Sequence, residues 1–111
     1  SEGRFRAFMD DAPVTADMKD AAGRYVFVNE QVRRRFGEPE GGWLGRTDHD
    51  VFPAPFADEF RAHDIRVLES GACDVYPETS PGPDGSVTHW QSYKFPFADA
   101  AGRTLVAGVS V

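Results

Sequence analysis

Few residues of this sequence are of the types that do chemistry. His63 lies on an apolar stripe with Phe56, Phe60 and Val67, the spacing of one helix face. A lone histidine in that setting is far more often a half-buried ring with one satisfied hydrogen bond than a metal ligand, and that reading is adopted. The dipeptides His49-Asp50 and His63-Asp64 are of the types that hold a divalent metal for hydrolysis. Such centres draw ligands from several helices, however, and the chain has three histidines. No Ser-His-Asp set, phosphate-binding glycine loop or carboxylate pair stands out by spacing. The chain is therefore not expected to be an enzyme by itself, nor to hold a metal. Asp48 and Asp50 read as residues that cap and solvate a turn, and Asp64 as a partner of local backbone or arginine. Cys73 is the only cysteine, which rules out an intrachain disulfide and suits a reducing, cytoplasmic location. It reads as a small, half-buried strand residue.

These side chains need a scaffold, and 111 residues with 41% hydrophobic content, nine Phe, two Trp and three Tyr can build one core. The expected organisation is one domain over 1–111, with 1–12 as an N-terminal cap and 13–111 as its body. A net charge of -6, with Arg33, Arg34 and Arg35 the only basic cluster, argues against nucleic acid as a partner. No apolar run approaches the ~20 residues of a membrane span, so no membrane contact by this domain is expected.

Phe5, Phe8 and Met9 have helical spacing and form a short cap helix that needs an apolar surface to pack on. Val14, Ala16 and Met18 alternate with Thr15, Asp17 and Lys19 as in a strand. Asp20-Ala21-Ala22-Gly23 is a hairpin turn leading to a returning strand, Arg24 to Val28. Asn29 caps a short helix carrying Val32 and Phe36 and ending at Gly37. Gly41 to Gly45 forms a loop with Trp43 and Leu44. Thr47 and Asp50 resemble a capping box, and Pro55 opens a longer helix closed by Gly71. Strands return from Ala72, with Asp84-Gly85 and Asp99-Ala100-Ala101-Gly102 as turns and Val87 to Phe97 and Thr104 to Val111 as strands. Strands grouped at both ends around helices indicate an α+β fold with an antiparallel sheet.

That order, and the stretches DAAGRYVFVN, GRTDHDVFP, HDIRVLESG and HWQSYKFPFADAAGRTLVAGVSV, resemble the PAS family over nearly the whole chain. The resemblance implies a five-stranded antiparallel sheet with several short helices on one face and a pocket between them. It also implies a sensory or regulatory module within a larger protein, whose output is a histidine kinase, a diguanylate cyclase or a transcription regulator. The signal would leave through the C-terminal strand, and the family's output connection is expected beyond Val111. A small-molecule sensor and a ligand-free dimerisation module are both compatible with this reading. Haem-bearing relatives carry their iron ligand on the helix of His63, so haem through His63 is a remote alternative. Flavin photoreceptors carry a cysteine where this chain has Thr47 to Phe52, which sets flavin aside.

Strand phase taken from the resemblance turns Val26, Val28, Gln91, Tyr93 and Ser110 inward. With Phe36, Phe60, His63 and Val67 these are the expected pocket residues. The opposite face then carries Tyr25, Phe27, Trp90, Leu105, Ala107 and Val109. Together with Phe5, Phe8 and Met9 of the cap, that face is the expected homodimer interface, because it is too apolar for open water.

Overall fold

The computed structural model describes residues 2–111. Its elements are α1 (Glu2–Asp11), β1 (Thr15–Lys19), β2 (Tyr25–Val28), α2 (Glu30–Phe36), α3 (Asp48–Val51), α4 (Ala54–Ser70), β3 (Asp74–Pro81), a 3-10 turn (Pro83–Gly85), β4 (Val87–Ala98) and β5 (Thr104–Ser110). The strands form one sheet in the order β2-β1-β5-β4-β3 with every neighbouring pair antiparallel. Helices α2 to α4 carry the chain from one sheet edge to the other, and α1 lies outside that excursion. This is the α+β architecture expected. Among the described residues no helix is long and apolar enough to cross a membrane.

Local chemistry sets the two tight turns. Asp20 Oδ1 accepts from the backbone N–H groups of Ala22 (3.0 Å) and Arg24 (2.9 Å), and Asp99 Oδ1 does the same for Ala101 (3.0 Å) and Arg103 (2.8 Å). Gly23 and Gly102 take φ of 86° and 79° to close them, a region costly for residues with a Cβ.

Asn29 joins three elements. Its Oδ1 accepts from Val32 N–H at the start of α2 (3.3 Å) and from Ala16 N–H of β1 (3.0 Å). Its Nδ2 donates to the carbonyls of Met9 and Val14, both at 2.8 Å. The side chain is fully buried and uses all four of its bonding positions. The cap helix is thus tied down at its C-terminal end by a residue whose capping role alone was expected. Asp10 adds a second tie by accepting from Glu30 N–H at 3.0 Å.

The structure corrects the phase of two strands. The pairing of β1 with β2 slips between Met18 and Lys19, which face Phe27 and Tyr25 respectively. Val26 is the extra residue of this bulge. Tyr25 and Val28 therefore both turn inward, packed with Val32 and Trp43. In β4, Ser92 pairs with Ser110 and Lys94 with Gly108, and cross-strand partners share a face. With Ser110 inward, Trp90, Ser92 and Lys94 are inward, whereas Gln91 and Tyr93 are exposed on the opposite face. On α4 the buried stripe is Ala57, Phe60, Asp64 and Val67; Phe56 and His63 are only half-buried. Cys73 is exposed and precedes β3 rather than lying within it.

Candidate functional site

Helices α2 and α4, the loop residues Trp43 and Phe52 and the inner sheet face surround a cavity of about 60 Å³, room for a few waters or a ligand of a few heavy atoms. One wall is aromatic: Phe36, Trp43, Phe52, Phe60, Trp90 and the ring of Tyr25. These rings meet edge-on or tilted, with Phe36 and Phe52 centroids 5.3 Å apart and Phe52 and Phe60 also 5.3 Å apart, geometries that lock their positions. Trp43 reaches the wall because its loop pairs with the edge of β2. Tyr25 N–H donates to Arg46 O (2.9 Å) and Gly45 N–H to Tyr25 O (2.8 Å).

The other wall is ionic. Lys19 Nζ donates to Asp48 Oδ2 at 2.7 Å and to Asp64 Oδ2 at 2.8 Å. Lys94 Nζ donates to Asp64 Oδ1 at 2.7 Å and pairs with Glu78 Oε2 at 2.9 Å. Asp64 thus bridges two ammonium groups; all five side chains are buried, and all but Asp48, which stands behind Lys19, line the cavity. Tyr25 donates its hydroxyl to Asp48 in a short bond. His63 Nδ1 lies 2.7 Å from Glu78 Oε2, with its ring stacked on Tyr76 at 4.2 Å. Burial alone would lower the pKa of Lys19, but the acidic groups around it (Tyr25, Asp48, Asp64 and Asp17) hold it well above the ordinary lysine value. Burial likewise pushes Asp64 up, and the charges and hydrogen bonds of Lys19 and Lys94 reverse this, leaving it below the ordinary aspartate value. Burial and the neighbouring Asp48 push the Tyr25 hydroxyl well above 10.

Asp17 is the exception. Its carboxyl faces the cavity beside Gly108, and burial raises its pKa from 3.8 to about 6 despite the opposing pull of Lys19 and Lys94.

Of the expected pocket residues, Phe36, Phe60 and Ser110 line the cavity. Val28 and Val67 are buried in the adjoining core clusters, Val26 is half-buried in the bulge, and Gln91 and Tyr93 point away from the cavity. His63 turns toward the sheet through Glu78 and is not part of the cavity wall. With its ring held between Glu78 and Tyr76 beside so small a space, it does not fit the role of a haem ligand. His49 pairs with Asp58 at the surface. Sequence reasoning missed Asp17, Lys19, Asp48, Asp64, Glu78 and Lys94 as a group. The alternation of Asp17 and Lys19 with Ala16 and Met18 was the signal, but a charged strand face reads naturally as the solvent face.

The outer sheet face carries a separate apolar groove lined by Phe5, Met9, Met18, Phe27, Phe95, Phe97, Ala107 and Val109. Phe5 packs on Phe27 with centroids 5.4 Å apart, so α1 covers part of this face. Phe8 stays 69% exposed and Phe97 44%. Tyr25 and Trp90 are on the inner face and Leu105 is buried, so these three are not available to a partner.

A sequence profile described as the PAS fold matches residues 9–111. The chain belongs to the PAS family. This PAS domain is 34% identical over 111 residues to the methanogenesis regulatory histidine kinase FilI of Methanothrix harundinacea, covering 99% of this chain but 12% of that protein. Its backbone resembles the PAS domain of an HTR-like protein from Haloarcula marismortui (TM-score 0.76, 21% identity, 99% of this chain and 89% of that one). It also resembles VqmA of Vibrio cholerae in a complex with ligand and DNA (TM-score 0.76, 26% identity, 99% of this chain and 51% of that one). It is thus homologous to part of a regulatory histidine kinase and spans about an eighth of that curated relative.

Proposed function

We propose that this PAS domain is the sensory module of a larger cytoplasmic signalling protein, that it binds a small polar molecule in the cavity, and that it passes the change on through β5. The output partner would be a histidine kinase, a diguanylate cyclase or a transcription regulator. The observation that carries this reading is the ionic wall. Burying an ion costs several kcal/mol even after relaxation, and an apolar replacement of a buried ion pair is often as stable or more so. Two lysines and three carboxylates inside so small a domain are a departure from core design of the kind found at functional sites. β5 is the central strand and places Val106, Gly108 and Ser110 against the cavity, so a ligand would press on the segment leading toward Val111. FilI, a regulatory kinase, and VqmA, solved with a ligand, support the assignment by homology. The test is native mass spectrometry after exposure to a metabolite extract, comparing the wild type with Gly108→Val, whose side chain would fill the space next to Asp17. A small adduct on the wild type that is missing from the variant is expected. No adduct on either would overturn the reading.

A second reading, pairing with another copy of the domain, is favoured by the outer groove and the exposure of Phe5, Phe8 and Phe97. Light scattering on the whole chain and on a chain starting at Asp10 tests it. A dimer that weakens without α1 is expected, and a monomer in both with unchanged melting temperature would refute it.

A further inference from the structure

Every charge that faces the cavity has a hydrogen-bonded protein partner except one. Lys19, Lys94, Asp48, Asp64 and Glu78 satisfy one another, whereas no described residue donates a hydrogen bond to the Asp17 carboxyl. The strand across from it offers Gly108, where even a Cβ would stand 3.4 Å from Asp17 Oδ1. The hydroxyls of Ser92 and Ser110, also on the cavity wall, are 2.8 Å apart and bonded to each other. Asp17 is half-buried, and a carboxylate withdrawn from water without donors is costly and normally matched.

The charge balance points the same way. Three carboxylates, Asp17, Asp64 and Glu78, line the cavity with two ammonium groups; Asp48 pairs with Lys19 behind them and His63 bonds Glu78, so Asp17 is the carboxylate left with an unmet demand for a donor. The facing wall is made of aromatic rings, whose faces attract cations. An anion would meet this surplus of negative charge, even where it reached the third N–H of Lys19 or Lys94. A neutral apolar molecule would leave Asp17 unmatched. Building on the reading of the cavity as a ligand site, we infer that the ligand is a small organic cation with N–H donors, a protonated amine or amidine. Its N–H groups bond Asp17 and its charge rests against the ring wall at Phe36, because Phe60 already has Lys19 and Lys94, and Trp90 has Arg35, within about 6 Å of their ring centres. The volume of about 60 Å³ confines it to a few heavy atoms or a short chain.

The experiment is a titration of the full chain, followed by protein-observed NMR, with ethylammonium, guanidinium, acetate and ethanol at one pH and ionic strength. Ethylammonium or guanidinium is expected to bind at about millimolar Kd, as fits so few atoms, and to lose at least tenfold in Asp17→Asn. A melting curve of the variant, recorded beside the titration, separates a lost contact from a lost fold. Binding of acetate or ethanol that Gly108→Val abolishes, with no binding of the cations, would overturn the cation assignment and leave the cavity as a ligand site. Cation binding that survives Asp17→Asn unchanged would overturn it as well. Failure of all four probes, together with no adduct from the metabolite extract, would overturn both.

Discussion

Replacing Asp17 with asparagine removes a charge that the fold holds at a cost, and the gain should depend on pH. Burial raises the carboxyl from 3.8 to about 6, with Lys19 and Lys94 pulling down and Asp64 and Asp48 pushing up. The shift is roughly two units, and at ~1.36 kcal/mol per unit it corresponds to ~3 kcal/mol. Between those two values the native state holds a proton that the unfolded chain has released, so this group's contribution falls as pH rises through the window. The penalty is absent below about 4 and full above about 6. Asp17→Asn should therefore stabilise the domain by up to ~3 kcal/mol at pH 7.5, raising the melting temperature by about 10 °C, and by close to nothing at pH 4. Urea unfolding followed by tryptophan fluorescence on both proteins at both pH values measures this. Asp50 and Asp99 are shifted down and contribute less in acid, but they lie outside the Asp17 cluster, are common to both proteins and cancel in the difference. A variant less stable than the wild type by more than ~1 kcal/mol at pH 7.5, or an equal difference at both pH values, would refute the reasoning.

Two further outcomes follow from the same contacts. Asp64→Ala strips both Lys19 and Lys94 of their shared carboxylate and should cost ~3–5 kcal/mol, as is usual when one partner of a buried pair is removed; a loss under ~1 kcal/mol by urea unfolding would contradict this. Asn29→Ala should cost about 2–4 kcal/mol, combining a lost cap with unmatched buried groups. It should also free α1, seen as faster amide exchange at Ala12, whose N–H bonds Phe8 O at 3.1 Å; unchanged exchange there would refute the tie.

The legible parts of the fold were those fixed by neighbours in sequence. The paired DAAGR turns, the Asn29 cap and the closing glycine of α4 depend on bonds spanning a few residues, and strand order followed once those punctuated the chain. The ionic wall was not legible because its members lie far apart: Lys19 meets Asp64 45 residues later, and Asp64 meets Lys94 30 residues on. Read singly, Lys94 and Asp64 belong to solvent, which put Tyr93 inside and His63 rather than Asp64 on the buried stripe. Alternation alone allows two phases for β4, and the phase taken from the family resemblance was the wrong one for this strand. The bulge at Val26 hid Tyr25 in the same way, since one extra residue reverses every side chain beyond it.

Ligand entry into the space between helices and sheet has two built-in reporters. The indole N–H groups of Trp43 and Trp90 donate to Gly37 O (2.9 Å) and Ser80 Oγ (2.7 Å) while their rings line the cavity. On addition of whichever molecule binds, the account predicts that both indole resonances shift in the wild type and stay in place in Gly108→Val. Shifts confined to Phe27, Ala107 and Val109 on the outer face, with both indoles unmoved, would contradict it.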